Sequence, residues 1–113
     1  MKHMHYTDIQ AQKLDLPGAK DVSLRVVIGH EDGAPNFTMM VLDVAPGGKT
    51  PDHSHPWEEE IFVRSGKGEI KVKDQKRSIR AGDVLYFAPE EAHQFLNTGP
   101  EQLEFICLIP HKI

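Results

Sequence analysis

Short clusters of Gly, Pro, Asn and Asp interrupt this chain every few residues, for example at Pro46-Gly47-Gly48, Gly66-Lys67-Gly68 and Ala81-Gly82-Asp83. The segments between them are about 5–9 residues long, which suits strands better than helices. They are rich in Val, Ile, Phe and Tyr, which favour a pleated, half-buried surface. The predicted strands are Ser23–Ile28, Phe37–Val44, Glu59–Arg64, Glu69–Lys73, Val84–Phe87, Ala92–Asn97 and Leu103–Ile109. So many short strands indicate an all-β fold, either a sandwich or a barrel.

The size and charge of the chain exclude several classes of protein. Its 113 residues suit a single domain, because two separate cores would each be too small to be stable. The 13 Lys and Arg against 17 Asp and Glu give a net charge of -4, whereas nucleic-acid binders are usually basic. The longest apolar runs have five residues, far fewer than the about 20 that cross a bilayer. With one cysteine and no signal-like apolar segment, we expect a cytoplasmic protein that binds neither nucleic acid nor membranes.

The chain divides into an N-terminal segment and a main domain. Residues 1–20 are predicted to be an edge strand or a partly mobile segment, because chain ends are often less ordered. Within them Thr7–Leu14 could form one short helix, but an edge segment is favoured. Residues 21–113 are predicted to form the β-domain.

Two predicted strands are apolar on both faces. In Phe37–Val44, Met39 and Val41 lie on the side opposite Met40 and Leu42. The strand Leu103–Ile109 has the same double pattern. A small barrel buries only the inner face of each strand, so the second apolar face must meet another sheet or another subunit. We therefore expect a homodimer.

Histidines and carboxylates are concentrated in the run His53-Ser54-His55-Pro56-Trp57-Glu58-Glu59-Glu60. Residues two apart on a strand point to the same side, so His53 and His55 can hold one metal ion together. A further candidate ligand, His93, lies in the strand Ala92–Asn97.

The choice among the three glutamates depends on strand parity. Glu59 shares its side of the strand with Ile61 and Val63, so it reaches the histidines if those two residues face the interior. Because acidic runs are usually solvated, Glu58 or Glu60 remains the alternative ligand.

These residues resemble the two motifs of the cupin family. The first motif, G-x5-H-x-H-x3-4-E-x6-G, is matched at every spacing by Gly47, His53, His55, Glu59 and Gly66. The second, G-x5-P-x-G-x2-H-x3-N, is matched by Gly82, His93 and Asn97, with Ala88 replacing its proline and Glu90 its second glycine. The interval from Gly66 to Gly82 has the length of one hairpin. A final strand ending in C-L-I-P further resembles small stand-alone cupins, several of which have His at the position of Glu59.

The resemblance implies a double-stranded β-helix, the jelly-roll-like cupin barrel, in one domain. It also implies that one divalent metal ion binds inside, with the ligands His53, His55, Glu59 and His93. Four protein ligands leave two octahedral positions open, so Mn or Fe is the expected ion, with Zn, Ni and Co as alternatives. No other cofactor is expected.

Four further residues are candidates for the lining of a pocket. Trp57 follows the histidine pair and either walls the metal pocket or plugs the end of the barrel. Phe95 and Phe105 are predicted first as core residues and second as pocket lining. Cys107 shares a face with Phe105, so it is either a small core residue or a neighbour of the metal. No catalytic residue beyond the ligands is predicted.

The resemblance and the ligand set predict a metal-dependent oxidoreductase of dioxygenase type that acts on a small apolar or aromatic molecule. One alternative is an isomerase or decarboxylase that works through a metal-stabilised enediolate. Another alternative is a cupin that binds a small ligand without catalysis. Oxygen uptake separates the first function from the other two.

Overall fold

The computed structural model describes residues 1–111, which contain nine β-strands and two short 3₁₀ turns. The 3₁₀ turns are Tyr6–Asp8 and His30–Asp32. The strands are β1 (Gln12–Lys13), β2 (Lys20–Ile28), β3 (Phe37–Lys49), β4 (Glu59–Ser65), β5 (Lys67–Val72), β6 (Gln75–Arg80), β7 (Val84–Phe87), β8 (His93–Leu96) and β9 (Leu103–Pro110). The predicted all-β class is confirmed. Within residues 1–111 no helix is long and apolar enough to cross a membrane.

The strands form one curled sheet in which every neighbouring pair is antiparallel, in the order β6-β5-β8-β3-β9-β4-β7. Strand β2 adds to β3, and β1 adds to β2. Strand β3 joins the two halves of the barrel: Phe37–Val44 pairs with β2 and β9, whereas Lys49 pairs with Leu96 of β8. This connection closes the sheet around an interior.

Strand β3 is longer than the sequence predicts. Pro46-Gly47-Gly48 was expected to end the strand as a turn, but the strand continues through it to Lys49. Gly47 has φ +82°, and a Cβ atom on Gly48 would lie 2.7 Å from the carbonyl oxygen of Lys20. The two glycines therefore let the strand bend from one half of the barrel into the other against the backbone of β2.

The core fills the interior of the barrel. Its most deeply buried side chains are Val44, Val63, Leu103, Phe105 and Cys107, each at most 2% exposed. They alternate along their strands with outward-facing residues, as the period of two requires. The predicted hairpin between Gly66 and Gly82 consists of β5 and β6, and in β6 only Ile79 is buried.

The N-terminal segment lies along the barrel. The sequence favours an edge segment over a short helix at Thr7–Leu14, and the structure has the 3₁₀ turn Tyr6–Asp8 followed by the edge strand β1, which pairs with β2. The Tyr6 hydroxyl donates to Glu104, and the guanidinium groups of Arg25 and Arg64 lie 5.6 and 5.3 Å from the Tyr6 ring centre. These contacts hold residues 6–14 against the sheet.

Candidate metal centre

Backbone pairing between two distant parts of the chain brings the histidines together. The His93 N–H donates to the His53 carbonyl at 3.0 Å, and the His53 N–H donates to the His93 carbonyl at 3.3 Å. The two residues form an antiparallel bridge, so their side chains lie on the same side of the sheet. His55 follows two residues later, and ring nitrogens of His53, His55 and His93 lie within 4.8 Å of one another.

Strand parity selects one glutamate from the acidic run. Glu59 begins β4 and faces inward with Ile61, whereas Glu58 and Glu60 are exposed. The Oε2 atom of Glu59 lies 2.6 Å from Nε2 of His93 and 3.3 Å from Nε2 of His55. The carboxylate therefore lies against two of the three imidazoles.

Carbonyl groups and aromatic rings orient two of the imidazoles. Nδ1 of His55 lies 3.1 Å from the carbonyl oxygen of Trp57, and Nδ1 of His93 lies 2.9 Å from that of Glu91. A proton on each Nδ1 satisfies these carbonyls and leaves Nε2 facing the centre, which is how many metal-binding histidines are held. The His55 ring also stacks on Trp57 at 4.3 Å, and the His93 ring stacks on Phe87 at 4.1 Å.

A departure from the second cupin motif lies next to His55. Glu90, which replaces a glycine of the motif, has φ +69°, a conformation that glycine adopts more readily. Its N–H donates to the carbonyl oxygen of His55 at 2.7 Å. Glu90 thus keeps the left-handed backbone conformation of the glycine that it replaces, and its N–H fixes the loop that carries His55.

The titratable groups of the centre influence each other strongly. Burial alone would raise the pKa of the Glu59 carboxyl, but hydrogen bonds from His93 and Cys107 and the nearby imidazoles bring it below the ordinary value. Burial lowers the pKa of His53, and the neighbouring imidazoles lower it further. Burial also acts to lower the pKa of His93, yet its hydrogen bonds to Glu59 and Glu91 raise the pKa overall.

This set of donors fits a divalent cation. Imidazole nitrogen suits Zn, Cu, Fe and Ni, and carboxylate oxygen suits Mn, so three imidazoles with one carboxylate match a transition-metal ion. A divalent ion with neutral imidazoles and one carboxylate keeps a net positive charge, which favours a ligand that carries negative charge.

A cavity of about 220 Å³ opens beside the four side chains, with mostly apolar walls. The four residues predicted as lining, Trp57, Phe95, Phe105 and Cys107, all lie in its wall. The Phe95 and Phe105 rings stack face to face at 4.1 Å, and both side chains are buried. The remaining lining residues are Leu14, Leu16, Leu24, Met40, Leu42, Thr50, Pro51, His53, His55, Glu59, Ile61, His93 and Ile109.

The N-terminal segment contributes two side chains to the cavity wall that were not among the predicted lining residues. Leu14 and Leu16 line the cavity, and the Leu14 N–H donates to the carbonyl oxygen of Val22 at 2.9 Å. Their spacing of two residues is the signal of a strand with one apolar face. The sequence pattern does not indicate that this face covers the cavity.

Cys107 touches the centre through Glu59. Its Sγ atom lies 3.2 Å from Oε1 of Glu59, and the thiol donates the hydrogen bond. Burial and the Glu59 carboxylate raise the pKa of the Cys107 thiol, so it stays protonated. The thiol therefore acts on the centre as a hydrogen-bond donor.

A small closed β-barrel with a cluster of three histidines, in which His93 is buried, His55 partly buried and His53 exposed, defines the general class of the protein. The model of the family described as "Cupin domain" matches residues 40–109, and the chain belongs to the cupin family. The resemblance seen in the two motifs is thereby confirmed.

The chain is similar to several known proteins. It superposes on the polyketide cyclase RemF from Streptomyces resistomycificus with a TM-score of 0.94 and 32% identity, covering 99% of this chain and 80% of that chain. It is 32% identical to protein SchB from Streptomyces halstedii over 66% of this chain and 54% of that protein. It is 33% identical to an oxalate-binding protein from Thermotoga maritima over 60% of this chain and 57% of that protein. The chain thus spans about half the length of these curated relatives.

Proposed function

We propose that this protein is a metal-dependent enzyme that closes a ring in a small, largely apolar polycarbonyl compound. The observation that carries the proposal is the cluster of three imidazoles and one carboxylate in the wall of an apolar cavity. The likeness to the polyketide cyclase RemF, which extends over 99% of this chain, supports this type of reaction.

The four side chains that would hold the ion are His53, His55, Glu59 and His93. A bound divalent ion supplies Lewis-acid stabilisation of the negative charge that a carbonyl oxygen gains when the adjacent carbon loses a proton. The hydrogen bonds of His55 and His93 to backbone carbonyls keep their Nε2 atoms aimed at this position.

The cavity walls bind and shape the substrate. The stacked Phe95 and Phe105 rings form an apolar part of the wall, and Trp57 lines the cavity beside His55. Enclosure by apolar walls favours a folded substrate in which the two ends of a flexible chain lie near each other. Leu14 and Leu16 add apolar side chains of the N-terminal segment to the wall. A volume of about 220 Å³ is below the range of about 300–1,000 Å³ for ordinary ligand sites, which favours a compact substrate.

The lining also restricts the chemistry. Among the lining residues of the described chain, the carboxylate and the imidazoles all belong to the cluster itself. Other polar groups in the wall are the Thr50 hydroxyl, the Cys107 thiol and the Trp57 indole. Thr50 accepts a hydrogen bond from the Phe95 N–H at 2.8 Å, so its role is to join two strands. The walls therefore orient and desolvate the substrate, and the reacting carbonyl is activated at the cluster.

The proposal can be tested with a synthetic probe. An aryl methyl ketone that carries an ortho acetonyl group closes to a methylnaphthol with loss of water, and the product is fluorescent. Protein loaded with Mn²⁺ or Zn²⁺ is expected to accelerate this closure under argon. Metal-free protein and His55→Ala are the controls. Equal rates in all samples would overturn the proposal.

The dioxygenase-type oxidoreductase is the second candidate, because the same donor set and apolar cavity would also serve that reaction. An oxygen electrode with the Mn- and Fe-loaded protein and small aromatic substrates tests it. Stoichiometric oxygen consumption would favour this candidate. Ligand binding with neither ring closure nor oxygen uptake would favour a binding protein.

A further inference from the structure

We propose that Cys107 is a positioning residue for the metal centre: its thiol holds one oxygen of Glu59, so that the other oxygen alone faces the imidazoles. This inference rests on the proposed function only in so far as that function requires a metal ion at Glu59.

The two carboxylate oxygens of Glu59 have different partners. Oε1 lies 3.2 Å from Sγ of Cys107, whereas Oε2 lies 2.6 Å from Nε2 of His93 and 3.3 Å from Nε2 of His55. A carboxylate that binds a metal through both oxygens occupies two coordination positions. A hydrogen bond that holds Oε1 away favours binding through Oε2 alone and leaves the second position for substrate.

The thiol is well placed to fix this geometry. Cys107 is 2% exposed and lies in the central strand β9, opposite Met40 of β3 and Ile61 of β4. Pairing on both sides makes its Sγ position rigid. The Glu59 side chain has three rotatable bonds and starts β4 at the edge of the cavity. The contact of Oε1 with Cys107 therefore adds to that of Oε2 with His93 in fixing the rotation of the carboxylate.

The test compares substitutions in the metal-binding protein. Mn²⁺ affinity, measured by titration, is expected to fall about tenfold in Cys107→Ala, because supporting contacts to a ligand typically contribute tenfold or more. Cys107→Ser keeps a donor and is expected to retain affinity within about threefold of wild type. In Co²⁺-loaded Cys107→Ala, the visible spectrum is expected to change because the carboxylate can bind through both oxygens.

The matched control is Ile109→Ala, which removes a side chain from the same strand and the same cavity wall but leaves the Cys107–Glu59 contact in place. It should leave affinity and spectrum unchanged. Wild-type affinity in Cys107→Ala, or equal loss in Cys107→Ser, would overturn the inference, as would the absence of metal binding in wild type. Metal binding without ring closure would contradict only the proposed function.

A separate observation concerns the outer surface of the barrel. We infer that the outer apolar face, defined by Ile28, Phe37, Met39, Phe62, Val84, Tyr86, Ile106 and Leu108, binds a second copy of this chain. Register places these residues side by side: Phe62 is opposite both Val84 and Ile106, and Leu108 is opposite Met39.

The exposed area of this face is large enough for a dimer. Val84 is 74% exposed, Phe37 63%, Tyr86 60% and Phe62 47%. An aromatic side chain has an area of about 200 Å², so these exposed fractions correspond to roughly 500 Å² of exposed apolar surface per copy. Two copies related by a twofold axis would hide about 1,000 Å², the area at which specific interfaces begin. Glu60 lies on the same face, opposite both Tyr86 and Leu108, and the apolar side chains around it suit an identical face, as in a symmetric dimer.

Sedimentation equilibrium tests this inference. Wild type at micromolar concentration is expected to have twice the mass of one chain, and Phe62→Glu and Val84→Glu are expected to have the mass of one chain with an unchanged circular dichroism spectrum. Val26→Glu is the matched control, since Val26 is 46% exposed but lies on a different groove, beside Met4 and Ile9. A monomeric wild type, or dimers in both glutamate variants, would overturn the inference.

Discussion

His55 is held by its neighbours rather than by burial in the core. Its ring stacks on Trp57, its Nδ1 atom faces a carbonyl oxygen, and its own carbonyl accepts the Glu90 N–H. The loop from Pro51 to Glu58 lies outside the named strands, so the barrel does not depend on the imidazole.

His55→Ala is therefore expected to lose the metal and keep the fold. We predict a loss of Mn²⁺ affinity of more than about 100-fold, larger than the effect of a supporting contact, because a ligand is removed outright. Elemental analysis and circular dichroism measure the two properties. Ser54→Ala, which changes an exposed neighbour, should keep both, and full metal occupancy in His55→Ala would contradict the assignment of this ligand.

Glu90 has a conformation that costs free energy. Its φ of +69° lies in the left-handed region, where a side chain costs about 1 kcal/mol. Glu90→Gly is expected to raise the free energy of unfolding by up to about 1 kcal/mol and to leave metal affinity unchanged. Urea denaturation measures the first effect, and a destabilised variant would contradict it.

A buried acidic pair lies outside the metal centre. Glu104 is 5% exposed and lies opposite Asp43 in the register of β3 and β9. Burial raises the pKa of Glu104 above its ordinary value of 4.5, and the adjacent Asp43 raises it further, whereas Arg64 and Tyr6 act in the opposite direction.

The raised pKa predicts a pH effect on stability. The folded chain binds the proton of Glu104 more tightly than the unfolded chain, so this contribution is complete below pH 4.5 and is lost as the pH rises through the folded pKa. Glu104→Gln mimics the protonated group and has no such loss. The free energy of unfolding of wild type minus that of Glu104→Gln should fall as the pH rises above 4.5. A constant difference would contradict the shift.

At the scale of elements, the N-terminal segment completes the cavity. Strand β1 pairs with β2, and the chain then places Leu14 and Leu16 over the apolar wall. Leu16 is 46% exposed, so nearly half of its surface is free of contacts within the chain and is available to a bound molecule.

Leu16→Asp is expected to weaken binding of an apolar probe, such as the aryl ketone, by about 3–10-fold, because it replaces part of an apolar wall with a charge. Mn²⁺ affinity should stay within about twofold, since the metal ligands lie on other elements. Leu16→Met is the conservative control. Unchanged probe affinity in Leu16→Asp would show that the segment does not cover bound ligand.

At the scale of the molecule, metal binding and folding are coupled. The ligands come from the loop before β4, from β4 and from β8, so they assemble only in the folded barrel. Metal at 100 times its Kd is expected to stabilise the protein by about 2.7 kcal/mol, which raises Tm by roughly 10 °C for a chain of this size. Calorimetry with and without chelator measures this shift. No shift with Mn, Fe, Zn, Ni or Co would contradict a metal site.

Much of the barrel could be predicted from local patterns. Val84–Phe87 has the predicted bounds, because turn residues close it at both ends. Strand β3 was underestimated, because Pro46-Gly47-Gly48 has the composition of a turn and only its packing against Lys20 makes it a bend within a strand. The period of two indicated that Glu59 faces the interior with Ile61.

By itself the sequence determined the all-β class, the closeness of the His53 and His55 side chains and the side of β4 on which Glu59 lies. These features follow from the alternation of side chains along an extended backbone, which is local. The tertiary structure decided that the His93 backbone pairs with His53, that Leu16 covers the cavity and that Cys107 contacts Glu59. Such contacts join distant parts of the chain, and only the register of the closed sheet determines which residues meet.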